Sequence, residues 1–135
     1  MSAPVWILDT SALLTLRDDE PGADRVAELL EQAWRGDGTC CACFMTAMEL
    51  LYRVWKDEGE PAARLAYEQA QSLPIVWIHE SPELLEAAAE IKAKHRLSLA
   101  DAWIAATTLL RNGVLVHKDP EFSSVHIQQE AMPFK

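Results

Sequence analysis

The chain has 135 residues, half of them hydrophobic and 24% charged, which fits a single soluble domain over residues 1–135 that buries about two-thirds of the surface it would expose unfolded. A formal net charge of −9 disfavours non-specific nucleic-acid binding, unless metal neutralises some of the acids or the 12 basic residues are unevenly placed. No basic segment followed by an apolar run opens the chain, and the most apolar helix, residues 99–110, is too short to span a bilayer and is interrupted by Asp101, so no membrane role is read and a cytoplasmic location is expected.

Residues 4–9 read as a buried strand, Val5-Trp6-Ile7-Leu8, ended by Asp9, with a short helix over residues 11–16. Pro21-Gly22 turns the chain into an amphipathic helix over residues 23–34, with Val26, Leu29, Leu30 and Ala33 at helical spacing. Residues 39–44 form a second strand. Its three cysteines, Cys40, Cys41 and Cys43, have no distant partner, so they read as buried thiols rather than a disulfide framework or zinc site. Thr46 opens a helix that Gly59 ends, and Pro61 starts another that runs to about Ser72. Residues 74–79 form a third strand. Ser81 then caps a helix with Pro82 at its first position, running to about His95. Ser98 or Leu99 opens the next helix, residues 114–117 form a fourth strand, and residues 124–127 a short fifth. Strands alternating with helices imply βαβ units and a three-layer α/β/α fold around a mostly parallel sheet of four to five strands.

Four acids sit where a strand or loop hands over to a helix: Asp9, Glu49, Asp101 and Asp119. In a parallel sheet those places share one edge, the edge at which such folds keep their chemistry. Carboxylates gathered there repel by roughly 4 kcal/mol per pair 4 Å apart at an effective dielectric of about 20. A divalent cation relieves that repulsion, which points to metal-dependent phosphoryl transfer. Each acid also has a plain structural use. Asp9 can cap the helix that follows it, and Ser11 can cap the same helix, orient Asp9 or a metal-bound water, or do both. Thr46-x-x-Glu49 and Ser98-x-x-Asp101 both match a capping box, and Arg53 offers Glu49 an ion pair. Asp119 can cap a helix begun by Pro120, and Glu121 competes with it for a fourth acidic position. Asp101 leads a stripe of Ile104, Ala105 and Thr108, which turns it inward. The basic residues Lys92, Lys94 and Arg96 are candidates for contact with a nucleic-acid backbone, or simply cations that suit a helix C-terminus.

Four stretches resemble the PIN-domain family, and within it VapC-type toxin ribonucleases: Ile7-Leu8-Asp9-Thr10-Ser11-Ala12-Leu13-Leu14, Thr46-Ala47-Met48-Glu49-Leu50-Leu51-Tyr52, Leu97-Ser98-Leu99-Ala100-Asp101-Ala102-Trp103-Ile104-Ala105-Ala106-Thr107, and Val114-Leu115-Val116-His117-Lys118-Asp119-Pro120-Glu121-Phe122. They occur in the family's order along the whole chain. The resemblance implies an endoribonuclease dependent on Mg²⁺ or Mn²⁺, with Asp9, Glu49 and Asp101 as its acidic site and Asp119 as the usual fourth member. It also implies an RNA substrate, a homodimer, and a VapB-type antitoxin that blocks the cleft, the pair forming a toxin–antitoxin system. The family commonly has Thr or Ser where His117 stands, a departure that bears on the fourth acid.

Two other readings remain. One is a PIN-like fold that binds without catalysing. The other is an aspartate-based phosphatase or receiver domain, but Ser11 stands where the phosphatase pattern wants a second aspartate, and His79-Glu80 follows the third strand where a receiver wants its aspartate.

Overall fold

A computed structural model describes residues 3–133. Its strands are β1 (Val5–Leu8), β2 (Thr39–Cys43), β3 (Ile75–Ile78), β4 (Val114–His117) and β5 (Gln128–Ala131). Its helices are α1 (Thr10–Arg17), α2 (Ala23–Arg35), α3 (Phe44–Glu58), α4 (Glu60–Gln71), α5 (Pro82–Lys94) and α6 (Leu99–Leu110), with a 3₁₀ turn over Pro120–Ser124. All five strands are parallel, in the order β3-β2-β1-β4-β5. The expected α/β/α architecture is therefore present.

Both faces of the sheet are covered, which explains why the central strands are apolar without alternation. Ile7, Cys41, Cys43 and Leu115 face α5 and α6, whereas Leu8, Cys40 and Val116 face α1 to α4. The three cysteines are free and buried, on opposite faces as the two-residue period of a strand requires. Gly113, just before β4, has no room for a side chain, because a Cβ there would stand 3.0 Å from Ile7 Cγ1 and 3.1 Å from the Val5 carbonyl oxygen. Its small size lets β4 lie close beside β1.

Two elements start two or more residues away from the sequence reading. Helix α3 begins at Phe44, two residues before Thr46, and its N-cap is Cys43, with no side-chain cap bond. Phe44 packs edge-on against Trp103 of α6, with ring centroids 5.1 Å apart, so tertiary packing extends the helix backwards. Thr46 is accordingly buried inside the helix, and Thr46-x-x-Glu49 is not a capping box. The fifth strand is Gln128–Ala131, not residues 124–127. Pro120 starts a 3₁₀ turn that occupies the chain as far as Ser124, and the strand that follows is a polar edge strand. No described helix is long and apolar enough to cross a membrane.

Candidate active site

In this strand order the connections run outward in opposite directions from the β1–β4 boundary, and a crevice opens there beyond the carboxyl ends of the strands. Asp9 ends β1 at that boundary. Its N–H bonds the Val116 carbonyl at 3.1 Å, so the ladder to β4 runs right up to the acid. Its side chain also caps α1, with Oδ2 accepting from the Ser11 N–H at 3.3 Å and the Ser11 hydroxyl at 2.5 Å. The same hydroxyl oxygen accepts the Lys118 N–H at 3.0 Å, which ties the end of β1 to the segment after β4. Capping and site geometry are thus served by one arrangement.

Asp101 lies in the first turn of α6, where the Ser98 hydroxyl caps the helix by accepting the Asp101 N–H at 3.1 Å. The positive end of the helix dipole favours a carboxylate in that turn. Glu49 comes from the second turn of α3, and its Oε1 accepts the Thr10 hydroxyl at 2.7 Å. Asp9, Glu49 and Asp101 are only 4%, 9% and 8% exposed, although each carries a carboxyl group. They offer oxygens that all lie within 4.8 Å of one another. Asp101, Asp119 and Glu121 form a second set with the same spacing, so Asp101 is shared between the two.

The electrostatics follow from this crowding. Burial, the neighbouring Asp119 carboxyl, and the charges of Asp9, Asp119 and Glu49 push Asp101 up to about 8. Burial likewise raises Asp9, against the opposing pull of its bonds to Ser11. Oxygen donors at this spacing, costly to ionise without a counter-charge, fit a hard divalent cation.

The acids line a cleft of about 270 Å³ together with Thr10, Ser11, Ser98, Arg53 and Lys118. Asp119 lies on its wall and Glu121 is exposed on the next residue but one. Lys92, Lys94 and Arg96 are exposed at the end of α5 and in the loop after it. None of them is in the cleft wall, and Lys94 pairs with Glu90 at 3.0 Å. The cations in the wall are instead Arg53, four residues after Glu49, and Lys118, whose ammonium is buried 3.7 Å from the Glu20 carboxylate. No Glu49–Arg53 ion pair forms among the described residues; Glu49 is bonded to Thr10 instead. Sequence reasoning also missed Thr10, for which the only signal was its place between Asp9 and Ser11.

A family model described as PIN domain matches residues 6–127. Among solved structures, the chain is similar to VapBC2 from Rickettsia felis bound to a promoter DNA fragment, at 18% identity and a TM-score of 0.78, covering 96% of this chain and 99% of that one. It is also similar to DNA-bound VapBC from Salmonella typhimurium (20% identity, TM-score 0.76, covering 95% and 98%). A third is Mycobacterium tuberculosis VapC20, described as a sarcin-ricin loop cleaving toxin (18%, 0.71, covering 95% and 99%). At these identities the likeness is one of fold. No curated protein matches the chain.

Proposed function

Because the chain belongs to the PIN-domain family, whose model spans residues 6–127, we propose that it is a metal-dependent endoribonuclease, the toxin of a VapBC-type toxin–antitoxin pair acting in the cytoplasm. The observation that carries this reading is the meeting of Asp9, Glu49 and Asp101, buried and within 4.8 Å of one another, in an open cleft. A purely structural use explains the helix cap made by Asp9 and nothing comparable for the Glu49 and Asp101 side chains. It does not explain three buried carboxyls in a single place, which cost folding free energy unless something positive joins them.

Asp9, Glu49 and Asp101 would hold Mg²⁺ or Mn²⁺, with Asp119 as fourth acid and Glu121 as its alternative. The bound ion supplies charge neutralisation at the scissile phosphate and activation of the attacking water. The chain's own residues do the rest. Ser11 locks the Asp9 carboxylate by bonding one of its oxygens twice, and Thr10 does the same for Glu49 with one bond. Such locking keeps the donors from swinging as charge builds up on the phosphate. Asp119, on the cleft wall, would orient the water that attacks in line. Arg53, exposed at the mouth, meets the RNA backbone, and Lys92, Lys94 and Arg96, whose chain leads into Ser98, offer a more distant contact. The proposed partners are an RNA substrate, a VapB-type antitoxin and a second copy of this chain.

The test compares wild type with Asp9→Asn and Asp101→Asn on structured and unstructured RNAs, with Mg²⁺, Mn²⁺ or a chelator. Cleavage that requires the ion and is lost in both folded variants is expected. Full activity of folded Asp9→Asn, or cleavage undiminished by chelator, would end the proposal.

A further inference from the structure

His117 ends β4 and is almost completely buried, at 3% exposure, between the sheet and the 3₁₀ turn. Its hydrogen bonds form a chain with a definite direction. The Gln129 side-chain amide nitrogen donates to the Phe122 carbonyl at 3.0 Å and the Val125 carbonyl at 3.4 Å. Those two acceptors fix which way the amide points, so its oxygen faces the histidine ring, 2.8 Å from Nε2. Nε2 must then carry the proton, which leaves Nδ1 as a bare acceptor. Nδ1 takes the Asp119 N–H at 3.0 Å. The ring also packs edge-on against Phe122, with centroids 5.0 Å apart, and Phe122 is fully buried inside the turn.

The segment after β4 is therefore tethered by two side chains at consecutive amides, the Lys118 N–H to Ser11 and the Asp119 N–H to His117. The Asp119 carboxylate itself accepts the Glu121 N–H at 2.9 Å, so the aim of both outer acids follows from where this backbone is held. We propose that His117, oriented by Gln129, is a positioning residue that sets Asp119 and Glu121 against Asp101. This deepens the nuclease reading above and rests on it. His117 itself lies outside the cleft wall.

The test uses two variants whose packing and acceptor chemistry pull in opposite directions. His117→Leu keeps an apolar filling and removes the acceptor. His117→Asn fills less, but its side-chain oxygen can accept the N–H two residues on, as Asn does in an Asx turn. If His117 only packs, Leu should equal or exceed Asn in both stability and function. If it positions the acids, Leu loses function while Asn recovers it, whatever their melting temperatures. Loss of such an outer support typically costs on the order of 10- to 100-fold in metal affinity or activity. A loss of that size is expected for Leu in Mn²⁺ affinity, by calorimetric titration, and in kcat, with KM little changed.

Two NMR readouts are independent of metal. The Asp119 amide should exchange slowly in wild type and His117→Asn but fast in His117→Leu, and the His117 ring nitrogens should report the Nε2–H tautomer. An Nδ1–H tautomer, or equal Mn²⁺ affinity and kcat in Leu and Asn, overturns the positioning role and leaves the nuclease reading standing. Failure of wild type to bind Mn²⁺ or cleave RNA removes the nuclease reading first, and this proposal with it.

Discussion

The inner and outer acids of the cleft are held in different ways. Asp9, Glu49 and Asp101 are buried, and regular elements aim them: a strand end that becomes a helix cap, the second turn of α3, and the capped first turn of α6. Asp119, half-buried, caps a short 3₁₀ turn that carries the exposed Glu121, and Ser11 and His117 pin the backbone just before that turn. Within the inner trio, burial makes Asp9 and Asp101 costly to ionise. The outer pair depends on side-chain tethers. A site made this way keeps its buried acids on the scaffold and leaves its outer acids on a turn, where small movements are cheap.

The largest expected effects come from the inner set. Asp101→Asn and Asp9→Asn should each reduce cleavage by roughly 10³-fold or more, above the roughly 10- to 100-fold that follows loss of an outer support. The same changes should raise the melting temperature of the metal-free protein at pH 8, because each removes a charge from a crowded, buried place. A variant that loses both activity and stability would instead point to a structural use of that acid. In the outer pair, Asp119→Asn and Glu121→Gln should separate clearly: the larger loss of kcat identifies the fourth acid, and equal, small losses would show that neither serves.

The inner set also dictates a pH dependence. Asp101 is raised from 3.8 to about 8 by burial and its acidic neighbours. The folded metal-free protein therefore keeps a proton that the unfolded chain has already lost in that interval. Unfolding then releases a proton, so stability contributed by this group is present below about pH 4 and is lost as pH rises through about 8. Chemical denaturation with chelator should show that decline, and saturating Mn²⁺ should flatten it. A metal-free protein whose stability is level across the interval would show that the inner acids are not coupled as described.

Smaller effects sharpen the contrast. Thr10→Val removes the hydroxyl that Glu49 accepts at 2.7 Å and should cost about 1.5–3 kcal/mol in stability, the worth of a hydrogen bond to a charged group, with a loss of kcat but not of KM. Arg53→Ala, at the exposed mouth, should mainly raise KM for RNA and reduce its salt dependence. If Arg53→Ala instead changed kcat alone, the residue would belong with the inner chemistry.

Much of this division could be read from the residues. Asp9 and Asp119 end apolar runs, and Ser98 caps a helix whose third residue is Asp101, so three of the acids were placed by local signals alone. The fourth was harder. Glu49 looked like half of a capping box, and only the contact of Phe44 with Trp103, nearly 60 positions apart, moves the helix start and frees it. The Thr10–Glu49 bond spans 39 positions and has no local signature. The polar strand Gln128–Ala131 was missed because an edge strand need not be apolar, yet it supplies the Gln129 that orients His117. Local patterns reach the rigid part of the cleft. The tethered turn depends on contacts between elements that no short window contains.

The central claim is that the inner acids form one buried, proton-holding group that a divalent cation takes over. Calorimetric titration of Mn²⁺ at pH 7, repeated in buffers of different ionisation enthalpy, tests it most directly. With Asp101 raised to about 8, binding should release about one proton per ion, and the Asp101→Asn variant should release markedly less and bind more weakly. Absence of binding, or binding with the same proton release in wild type and Asp101→Asn, would contradict it.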